Sequence, residues 1–506
     1  MHPALQSLHA LRAASGPAKT TGLSDDLILQ FLESDPTLGQ AIDAAVTAQA
    51  ALAAARPELL AMAEADLIDH VQDGFVNFYA KDAVNPYVAL AAKGPWVVTV
   101  YGAVVHDSGG YGMLGFGHAP DAVLDAMSQP WVMANIMTPS VSERTFDENM
   151  RKELGHAREG GCPFSHFICM NSGSESVTVG ARIADVNARI MTDPGGRYAG
   201  RRRVIMGIER AFHGRTDKPA RFSDSTRPSY GKHLASFRDL VDDLWTIPPG
   251  DTDALRAAFA RADAEEVFIE AFFIEPVQGE GSPGVAVTRE FYDEARRLTL
   301  EHGSMLLMDS IQAGLRTWGT LSMVDYPGFE DCDPPDMETW SKALNAGQYP
   351  LSVLGLTERA AALYRVGIYG NTMTTAPRGL EVANAVLGMI TPEVRQNVRE
   401  QGCNFVGDLQ ALQARFPDLI VDVQGTGLLF CCELNPDKLQ AIGPGSAEER
   451  CRLLGLGIIH GGRNALRFTP HLRITDAERA MMMTILGDVL AEISAEQAGD
   501  ATQAAR

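Results

Sequence analysis

The chain has 506 residues, of which 45% are hydrophobic and 21% are charged. These values are ordinary for a globular protein, and the length allows two or three domains. A formal net charge of −21 argues against nucleic acid or an anionic membrane as the main partner. No apolar run has the length of a membrane span, and seven cysteines without a repeated C-x-x-C predict a reducing, cytoplasmic setting.

The first part of the chain carries no obvious chemistry. Residues 1–85 are rich in alanine and predict a helical N-terminal extension. The stretch from Pro95 to Val105 alternates in the manner of a β-hairpin. We assign this hairpin to the first part of a small domain, residues 86–150.

A glycine-dense loop follows the predicted hairpin. It holds a literal G-x-G-x-x-G at Gly110, Gly112 and Gly115. The acidic residue that a dinucleotide site needs about 20 positions further on is missing, and Pro120 follows closely. Nicotinamide binding is therefore only a weak alternative.

Cys162, His166 and Cys169 are residue types that bind zinc. Their spacing matches no standard structural zinc site, and Cys169 sits in an apolar segment, 167–170, that predicts a buried strand. Because buried free thiols are common in protein cores, packing is the favoured interpretation. We predict no metal site.

Apolar segments alternate with helical ones in the middle of the chain, as in a doubly wound α/β domain whose site lies at the ends of its strands. Three of the polar strand ends are Asn171–Ser176, Ala211–Arg215 and Glu275–Gly281. The first runs into a helix, so its backbone N–H groups and the helix dipole predict an anion site suited to a single phosphate. The aromatic Phe212 of the second packs in the core or stacks on a planar ring.

The stretch from Met305 to Lys342 organises the rest of the chain. Four apolar residues stop abruptly at Asp309, as a buried parallel strand does at a pocket. A second short segment, Met337–Ser341, stops at Lys342. Either residue alone is an ordinary strand boundary, but together they indicate a lysine that forms a Schiff base and an aspartate that pairs with a buried cation. A pyridoxal phosphate enzyme requires both groups.

The remaining segments complete the predicted domain organisation. Residues 151–389 are expected to form a large domain that binds the cofactor. Residues 390–495 alternate between helix and strand and predict a small α+β C-terminal domain. Residues 496–506 are expected to be a frayed tail.

Taken in order, these motifs resemble those of the class III aminotransferases, the family that includes ornithine and gamma-aminobutyrate aminotransferases. The resemblance runs from about Gly94 to Leu490, and its motifs are weak singly but specific together. The matching segments are Gly117–Pro120, Asn171–Glu175, Phe212–Gly214, Glu275–Gly281, Asp309 with Gln312, Ser341–Leu344, Thr372, and Gln424–Leu429 ahead of Arg467. The resemblance implies a PLP-dependent transferase of fold type I, with a mostly parallel doubly wound sheet in a large domain and a small α+β domain.

The resemblance also implies which residues bind pyridoxal 5′-phosphate. Lys342 would hold the cofactor as a Schiff base and later move the proton between substrate and cofactor. Asp309 would pair with the pyridine nitrogen, and Gln312 would lie near the ring hydroxyl. Phe212 would stack on one ring face, with His213 beside it.

Further matches concern the phosphate, the partner subunit and the substrate. Gly173 and Ser174 would bind the phosphate through backbone and hydroxyl groups. Thr372 would reach the phosphate of a neighbouring subunit, which makes a homodimer the minimum active unit. Arg467 would hold a substrate carboxylate, and Glu280 would neutralise that arginine when no carboxylate is present.

The implied activity is transfer of an amino group from an amine or amino acid donor to an oxo acid by a ping-pong mechanism. Some loops depart from the family pattern. Ser310 stands where glutamate is usual, Gln424 where arginine is common, Ala376 where asparagine is common, and the loop 345–350 is one residue longer. These departures bear on substrate choice. Relatives that act as epimerases, decarboxylases or aminomutases are one alternative, and a non-catalytic scaffold on the same fold is another.

Overall fold

The computed structural model describes residues 2–110, 112–238 and 242–504. The predicted glycine loop and the predicted tail each include residues outside these ranges. The chain divides into two compact units. The terminal unit comprises Met1–Asp121, Cys403–Gln424 and Phe430–Arg506, and the central unit comprises Ala122–Gly402 and Gly425–Leu429.

Helices account for most of the regular structure in the described residues. The α-helices are α1 (Pro3–Ala13), α2 (Asp25–Ser34), α3 (Pro36–Ala55), α4 (Pro57–Ala61), α5 (Glu64–Gln72), α6 (Asp121–Ser128), α7 (Val141–Glu153), α8 (Gly173–Thr192), α9 (Asp217–Phe222), α10 (Arg227–His233), α11 (Ala235–Arg238), α12 (Thr252–Ala264), α13 (Arg289–His302), α14 (Glu358–Ala361), α15 (Pro377–Gly388), α16 (Pro392–Arg415), α17 (Ala447–Leu453) and α18 (Asp476–Ala504). Short 3₁₀ helices occur at Lys81–Ala83, Met323–Asp325 and Lys342–Asn345.

The strands form three sheets. They are β1 (Ala89–Lys93), β2 (Trp96–Thr99), β3 (Val104–Asp107), β4 (His166–Met170), β5 (Arg202–Ile208), β6 (Leu244–Ile247), β7 (Val267–Ile274), β8 (Met305–Asp309), β9 (Met337–Trp340), β10 (Ser352–Leu356), β11 (Ile420–Thr426), β12 (Leu429–Leu434), β13 (Leu456–Gly457), β14 (Ile459–Gly461) and β15 (Ala465–Phe468).

The central unit is built on a seven-stranded sheet with the order β4-β10-β9-β8-β7-β5-β6. The pairs β9–β8, β8–β7, β7–β5 and β5–β6 are parallel, while β10 is antiparallel to both of its neighbours. Six strands therefore run in one direction and only β10 is reversed. Strands β7, β8 and β9 are buried along their whole length. Their residues are accordingly apolar except for Glu270, Asp309, Glu338 and Thr339. The predicted mostly parallel doubly wound sheet is confirmed.

The terminal unit contains two four-stranded sheets, with the orders β1-β2-β3-β13 and β11-β12-β15-β14. The predicted hairpin is confirmed, because β2 and β3 pair in an antiparallel register. The glycine-dense loop leaves β3, which pairs antiparallel with β2 and parallel with the two-residue β13. The next strand along the chain, β4, belongs to another sheet, so the loop does not open the β-α-β unit of a dinucleotide site.

Two further predictions concern the C-terminal helix and metal ligands. Helix α18 extends to Ala504 and so includes most of the segment 496–506 that the sequence predicts to be a frayed tail. Among the described residues, metal-ligand side chains converge only at His106, His471 and Glu478, so Cys162, His166 and Cys169 form no such cluster. No helix within the described ranges is both long and apolar enough to cross a bilayer.

Candidate active site

Polar residues gather at the carboxyl edge of the seven-stranded sheet. Strands β4, β5, β7, β8 and β9 run in the same direction, so the turns that follow them share that edge. These turns contain every residue predicted to bind the cofactor except Thr372. The sheet order further makes β8, which carries Asp309, a direct neighbour of both β7 and β9.

Asp309 is the last residue of β8 and is only 4% exposed. His213 Nδ1 lies 2.8 Å from Asp309 Oδ2, and the backbone N–H of Ile311 donates to Oδ1 at 3.2 Å. Burial opposes a charge on His213, but the hydrogen bond and charge of Asp309 outweigh it and raise the pKa of His213. The backbone of His213 is also held in place, because its N–H donates to Ser223 Oγ at 2.8 Å. Asp309 is therefore a buried carboxylate held in one orientation.

Glu275 supports the neighbouring strand end. Its two carboxylate oxygens accept the backbone N–H groups of Phe212 at 2.8 Å and Gly279 at 2.9 Å. Complete burial, aided by the charge of Asp309, raises the pKa of Glu275 to about 7. The carboxyl group thus ties the turn after β5 to the turn after β7, and it fixes the backbone that carries Phe212.

Glycines let these turns approach one another closely. A Cβ atom on Gly214 would lie 2.2 Å from Ser174 Oγ, and one on Gly279 would lie 2.4 Å from the side-chain Cδ of Gln312. Gly173 likewise faces the side chain of Ile311, which a Cβ would meet at 2.6 Å. The turns after β4, β5, β7 and β8 are therefore in mutual contact, which the sequence alone did not reveal.

The predicted anion site lies at the start of α8. Ser172 caps the helix, and Glu175 Oε2 accepts the backbone N–H groups of Asn171 at 2.7 Å and Ser172 at 3.2 Å. The next amides, of Gly173 and Ser174, belong to the first helical turn, where no intrahelical acceptor exists. Those two amides and the Ser174 hydroxyl are the donors that a phosphate would use.

Lys342 begins the 3₁₀ helix that follows β9 and is half-buried. In the parallel register of β8 and β9, Asp309 pairs with Thr339, only three residues before Lys342. Ser341 anchors the turn by donating through its hydroxyl to the carbonyl of Leu351 at 2.7 Å. The predicted lysine and aspartate therefore lie at the ends of adjacent strands.

Glu338 is a buried acidic residue close to Asp309 that the sequence did not predict to be part of the site. Glu338, in the middle of β9, accepts hydrogen bonds from Ser310 Oγ at 2.5 Å and from the backbone N–H of Met323 at 3.0 Å. Its other oxygen accepts from Ser322 Oγ at 2.5 Å. Burial raises the pKa of Glu338 to about 7. The serine that departs from the family pattern thus has a defined carboxylate partner.

The predicted substrate residues fall in different units. Arg467 lies on β15 in the terminal unit and is completely buried, whereas Glu280 belongs to the central unit. Within the central unit, Arg215 Nη2 lies 3.8 Å from Glu280 Oε1, and the Arg215 guanidinium sits 5.3 Å from the Phe212 ring centroid. Arg215 was not singled out from the sequence, although it directly follows the Phe212–Gly214 motif. The pairing of Arg467 with Glu280 stays a prediction.

Thr372 is in the turn 371–375, which precedes α15, and its side chain is exposed on this chain. It is not among the strand ends that gather at the sheet edge. The predicted contact of Thr372 with a neighbouring subunit therefore remains a prediction.

The sheet edge fits a ligand with an anionic group, a planar ring and a cationic ring atom. First-turn amides and a hydroxyl can donate to an anion, the Phe212 ring can stack on a planar ring, and the fixed carboxylate of Asp309 suits a buried cation. Pyridoxal phosphate has these three features, and a half-buried lysine one strand away completes the requirement. The fold and this edge together define a fold-type-I pyridoxal phosphate enzyme.

Comparison with known proteins specifies the family. The profile described as Aminotransferase class-III matches residues 78–490. The chain is 30% identical over 421 residues to an acetylornithine aminotransferase of Neisseria meningitidis serogroup B, covering 82% of this chain and 96% of that protein. The chain belongs to the class III aminotransferases and is a pyridoxal-phosphate-dependent enzyme of transamination.

Solved structures agree on the fold. An ornithine aminotransferase from Toxoplasma gondii superimposes with a TM-score of 0.73 at 23% identity, covering 88% of this chain and 99% of that one. An acetylornithine aminotransferase from Elizabethkingia anophelis gives a TM-score of 0.67 at 23% identity, covering 85% and 99%.

Proposed function

We propose that the carboxyl edge of the seven-stranded sheet is the active site and that Lys342 attaches the cofactor and transfers the proton. The observation that carries this proposal is that Asp309 ends β8 and Lys342 closely follows the adjacent parallel strand β9. A lysine amine and a buried carboxylate are the two groups that this chemistry needs from the protein.

The contacts described above support the following cofactor-binding roles. The first-turn amides of α8 and the Ser174 hydroxyl bind the phosphate. Phe212 covers one face of the ring, and Gln312, packed against Gly279, approaches the ring hydroxyl. Asp309, oriented by His213, keeps the ring nitrogen protonated.

When bound, pyridoxal phosphate supplies an aldehyde that exchanges for an amino group and a ring that withdraws electrons. The protein's contribution is to position and move protons. The Lys342 amine would remove the proton from the substrate carbon that bears the amino group and would deliver it to the cofactor. The Asp309–His213 pair holds its charge and geometry fixed while this proton moves.

We infer a ping-pong cycle in which an amine or amino acid donates the amino group and an oxo acid accepts it. The relatives named as acetylornithine and ornithine aminotransferases support an amino acid donor. We assign Arg467 to a substrate carboxylate and Glu280 to neutralising an arginine when no carboxylate is bound. A guanidinium suits the first task because its planar fork makes two parallel hydrogen bonds to a carboxylate.

We propose a homodimer as the active unit, with Thr372 reaching the partner's phosphate site. Large apolar side chains that are exposed on the central unit support an interface there. They are Val132, Met133, Ile136, Met137, Val141, Val366 and Met373. We also propose a cytoplasmic location, which the seven free cysteines support.

The test of this function is to locate the covalent cofactor. Borohydride reduction of the purified holoenzyme should fix the cofactor to one peptide, and that peptide should contain Lys342. Lys342→Ala should lose the label, while the exposed Lys152→Ala should retain it. A label on a peptide without Lys342 would show that the assignment is wrong.

A further inference from the structure

Three ionisable side chains are buried together at the carboxyl edge of the seven-stranded sheet. His213 and Glu275 are each 2% exposed, and Asp309 is 4% exposed. Glu275 directly follows β7, which lies between β5 and β8 in the sheet. Asp309 is assigned to the ring nitrogen of the cofactor, and His213 to the orientation of Asp309. The charge of Glu275 has no role in that scheme.

The contacts of Glu275 favour its ionised form. Both of its carboxylate oxygens accept backbone N–H groups, one from Phe212 at 2.8 Å and the other from Gly279 at 2.9 Å. Its hydrogen-bond partners among the described residues are thus donors only, and donors stabilise a carboxylate rather than a protonated carboxyl group. Burial opposes the charge and raises the pKa of Glu275 to about 7, so the group is ionised above neutral pH. A buried carboxylate of this kind requires a nearby cation.

His213 is the cationic partner of Glu275, because its charge counteracts the effect of burial on the Glu275 pKa. Burial also opposes a charge on the imidazole, but the hydrogen bond and charge of Asp309, followed by the charge of Glu275, outweigh it and raise the pKa of His213. Among the described residues, these two carboxylates are the charged groups that act on His213. The Nε2 atom of His213 is buried without a hydrogen-bond partner in the described part of the chain. A protonated His213 therefore depends on the negative charge beside it, since only its Nδ1 atom is hydrogen-bonded.

One carboxylate is not enough for this part of the site once the cofactor is bound. A protonated ring nitrogen and a protonated His213 are two cations, and both would depend on Asp309, which carries a single negative charge. The net positive charge left in this buried region would favour loss of a proton from one of the two rings. Glu275 adds a second negative charge, so that two carboxylates offset two cations. Its hydrogen bond to the Phe212 amide fixes that charge next to His213 in the chain.

We propose that Glu275 is the second counter-charge of the site and keeps His213 protonated while Asp309 pairs with the ring nitrogen of pyridoxal phosphate. This inference rests on the proposed role of Asp309. Glu275 acts through His213 and is therefore a positioning residue. A protonated His213 makes a charge-assisted hydrogen bond from Nδ1 to Asp309 Oδ2, which is stronger than a neutral one and holds the carboxylate ionised and in one orientation.

The protonation of His213 can be measured directly. Holoenzyme that contains isotopically labelled histidine is titrated with acid and base, and the NMR shift of each imidazole carbon gives the midpoint of its titration. The His213 signal is the one that is absent from His213→Asn. In the wild type this imidazole should remain protonated at pH 7.5. Glu275→Gln should lower its midpoint by about one pH unit or more, because one of the two negative charges is removed.

Glu275→Asp separates the charge of Glu275 from its support of the backbone. Aspartate keeps the negative charge but is too short to reach both the Phe212 and Gly279 amides, so the His213 midpoint should stay near the wild-type value. Glu270→Gln is the matched control. It removes another buried carboxyl group of β7, about 16 Å away along the strand, and should leave the midpoint unchanged. Thermal unfolding checks that each variant is folded.

The proposal is overturned if His213 is neutral at pH 7.5 in the wild-type holoenzyme, or if Glu275→Gln leaves its midpoint unchanged. It is also overturned if Glu275→Gln and Glu275→Asp lower the midpoint equally, because lost support of the backbone would then explain both. Borohydride labelling of Lys342 tests the proposed function separately. A normal label together with a neutral His213 would reject only the charge assigned to Glu275.

Discussion

His213 Nδ1 lies 2.8 Å from Asp309 Oδ2 in an environment where both side chains are almost completely buried. The two residues come from turns 96 positions apart in the chain and meet because β5, β7 and β8 are successive neighbours in one parallel sheet. The imidazole is hydrogen-bonded to one carboxylate oxygen of Asp309, and the backbone N–H of Ile311 donates to the other. These two hydrogen bonds fix the orientation of the Asp309 side chain. A carboxylate so fixed can hold a cationic ring nitrogen without reorganising during the reaction.

This relationship gives the first prediction, which concerns Asp309→Asn. The amide keeps the size of the side chain and still accepts one hydrogen bond, so the variant should fold and retain bound cofactor. It cannot stabilise a protonated ring nitrogen, and we expect the proton-transfer rate to fall by about a hundredfold or more. Single-turnover absorbance of the bound cofactor measures that rate. Wild-type turnover in Asp309→Asn would contradict the assignment.

The second prediction concerns Glu338 and its neighbour Ser310. Burial raises the pKa of Glu338 from its ordinary value of 4.5 to about 7. Between these two pH values the Glu338 carboxyl is protonated in the folded protein and ionised in the unfolded chain. The free energy of unfolding therefore falls as the pH rises from about 4.5 to about 7. Glu338→Gln should remove this contribution, on the order of 3 kcal/mol across that range.

Urea unfolding of the wild type and Glu338→Gln at pH 5 and pH 8 provides the measurement. The variant should lose less stability than the wild type on going to pH 8. Glu175→Gln is a useful control, because its carboxylate lies on the same unit but is only partly buried. An identical pH dependence in wild type and Glu338→Gln would mean that Glu338 stays ionised throughout.

Comparison of Glu338 with Asp309 shows what the sequence could and could not predict. Asp309 was recognisable because an apolar run stops at it, and buried parallel strands end in this way. Glu338 stands inside a short segment, and its side chain is buried only because β8, β9 and the turn at Ser322 enclose it. Tertiary structure determines which way the side chains of a strand point and what packs around them. The local sequence therefore predicted neither the burial of Glu338 nor its hydrogen bonds to Ser310 and Ser322.

The same reasoning explains the other residues that were missed. The contact of Gly279 with Gln312 joins two turns from different strands, and it depends on the order of strands in the sheet. Sequence motifs predicted which residues belong to the candidate site. The order and register of the strands determine which of these residues contact one another.

The third prediction concerns the terminal unit, where Glu478 is hydrogen-bonded to two histidines. Glu478 Oε1 lies 2.7 Å from His471 Nε2 and 3.1 Å from His106 Nε2, and Oε2 accepts from the backbone N–H and the hydroxyl of Thr475 at 2.7 Å. Burial alone would raise the pKa of Glu478, but the charges and hydrogen bonds of His471 and His106 outweigh it and lower the pKa. The resulting stability is present above the pKa of the unfolded chain and is lost as the pH falls below it.

We therefore expect Glu478→Gln to destabilise the protein by roughly 1.5–3 kcal/mol at pH 7.5, the value of a hydrogen bond to a charged group. The difference from the wild type should shrink as the pH falls through about 4, where the unfolded carboxylate takes up its proton. Chemical unfolding followed by tryptophan fluorescence across this pH range is the measurement. A difference that does not change with pH would indicate lost packing rather than lost charge.

The fourth prediction concerns assembly. If Thr372 serves the phosphate site of a partner subunit, an isolated chain cannot complete its site. Specific activity should therefore fall on dilution together with the fraction of dimer, and Thr372→Ala should weaken cofactor retention without changing the dimer fraction. Analytical ultracentrifugation and cofactor absorbance measure the two quantities separately. A fully active monomer at high dilution would rule out the shared site.

The last prediction concerns Arg467, Glu280 and Arg215. Ping-pong transamination accepts two substrates in one pocket, and at least one bears a carboxylate next to the reacting carbon. A buried arginine suits that carboxylate, but an omega-amino donor brings an apolar segment to the same place, where a nearby carboxylate offsets the charge of the guanidinium. Glu280, which lies 3.8 Å from Arg215 in the central unit, is the acidic group assigned to that task.

Arg467→Ala should mainly slow the half-reaction with the oxo acid, by about tenfold to a hundredfold, because two charge-assisted hydrogen bonds are lost. Glu280→Ala should instead weaken the use of omega-amino donors relative to alpha-amino acids. Arg215→Ala serves as the control, since it removes one ion-pair partner of Glu280 and leaves Arg467 in place. The spectral change of the cofactor reports each half-reaction separately. Equal losses in both halves for Arg467→Ala would show that this arginine supports the fold of the terminal unit rather than the substrate carboxylate.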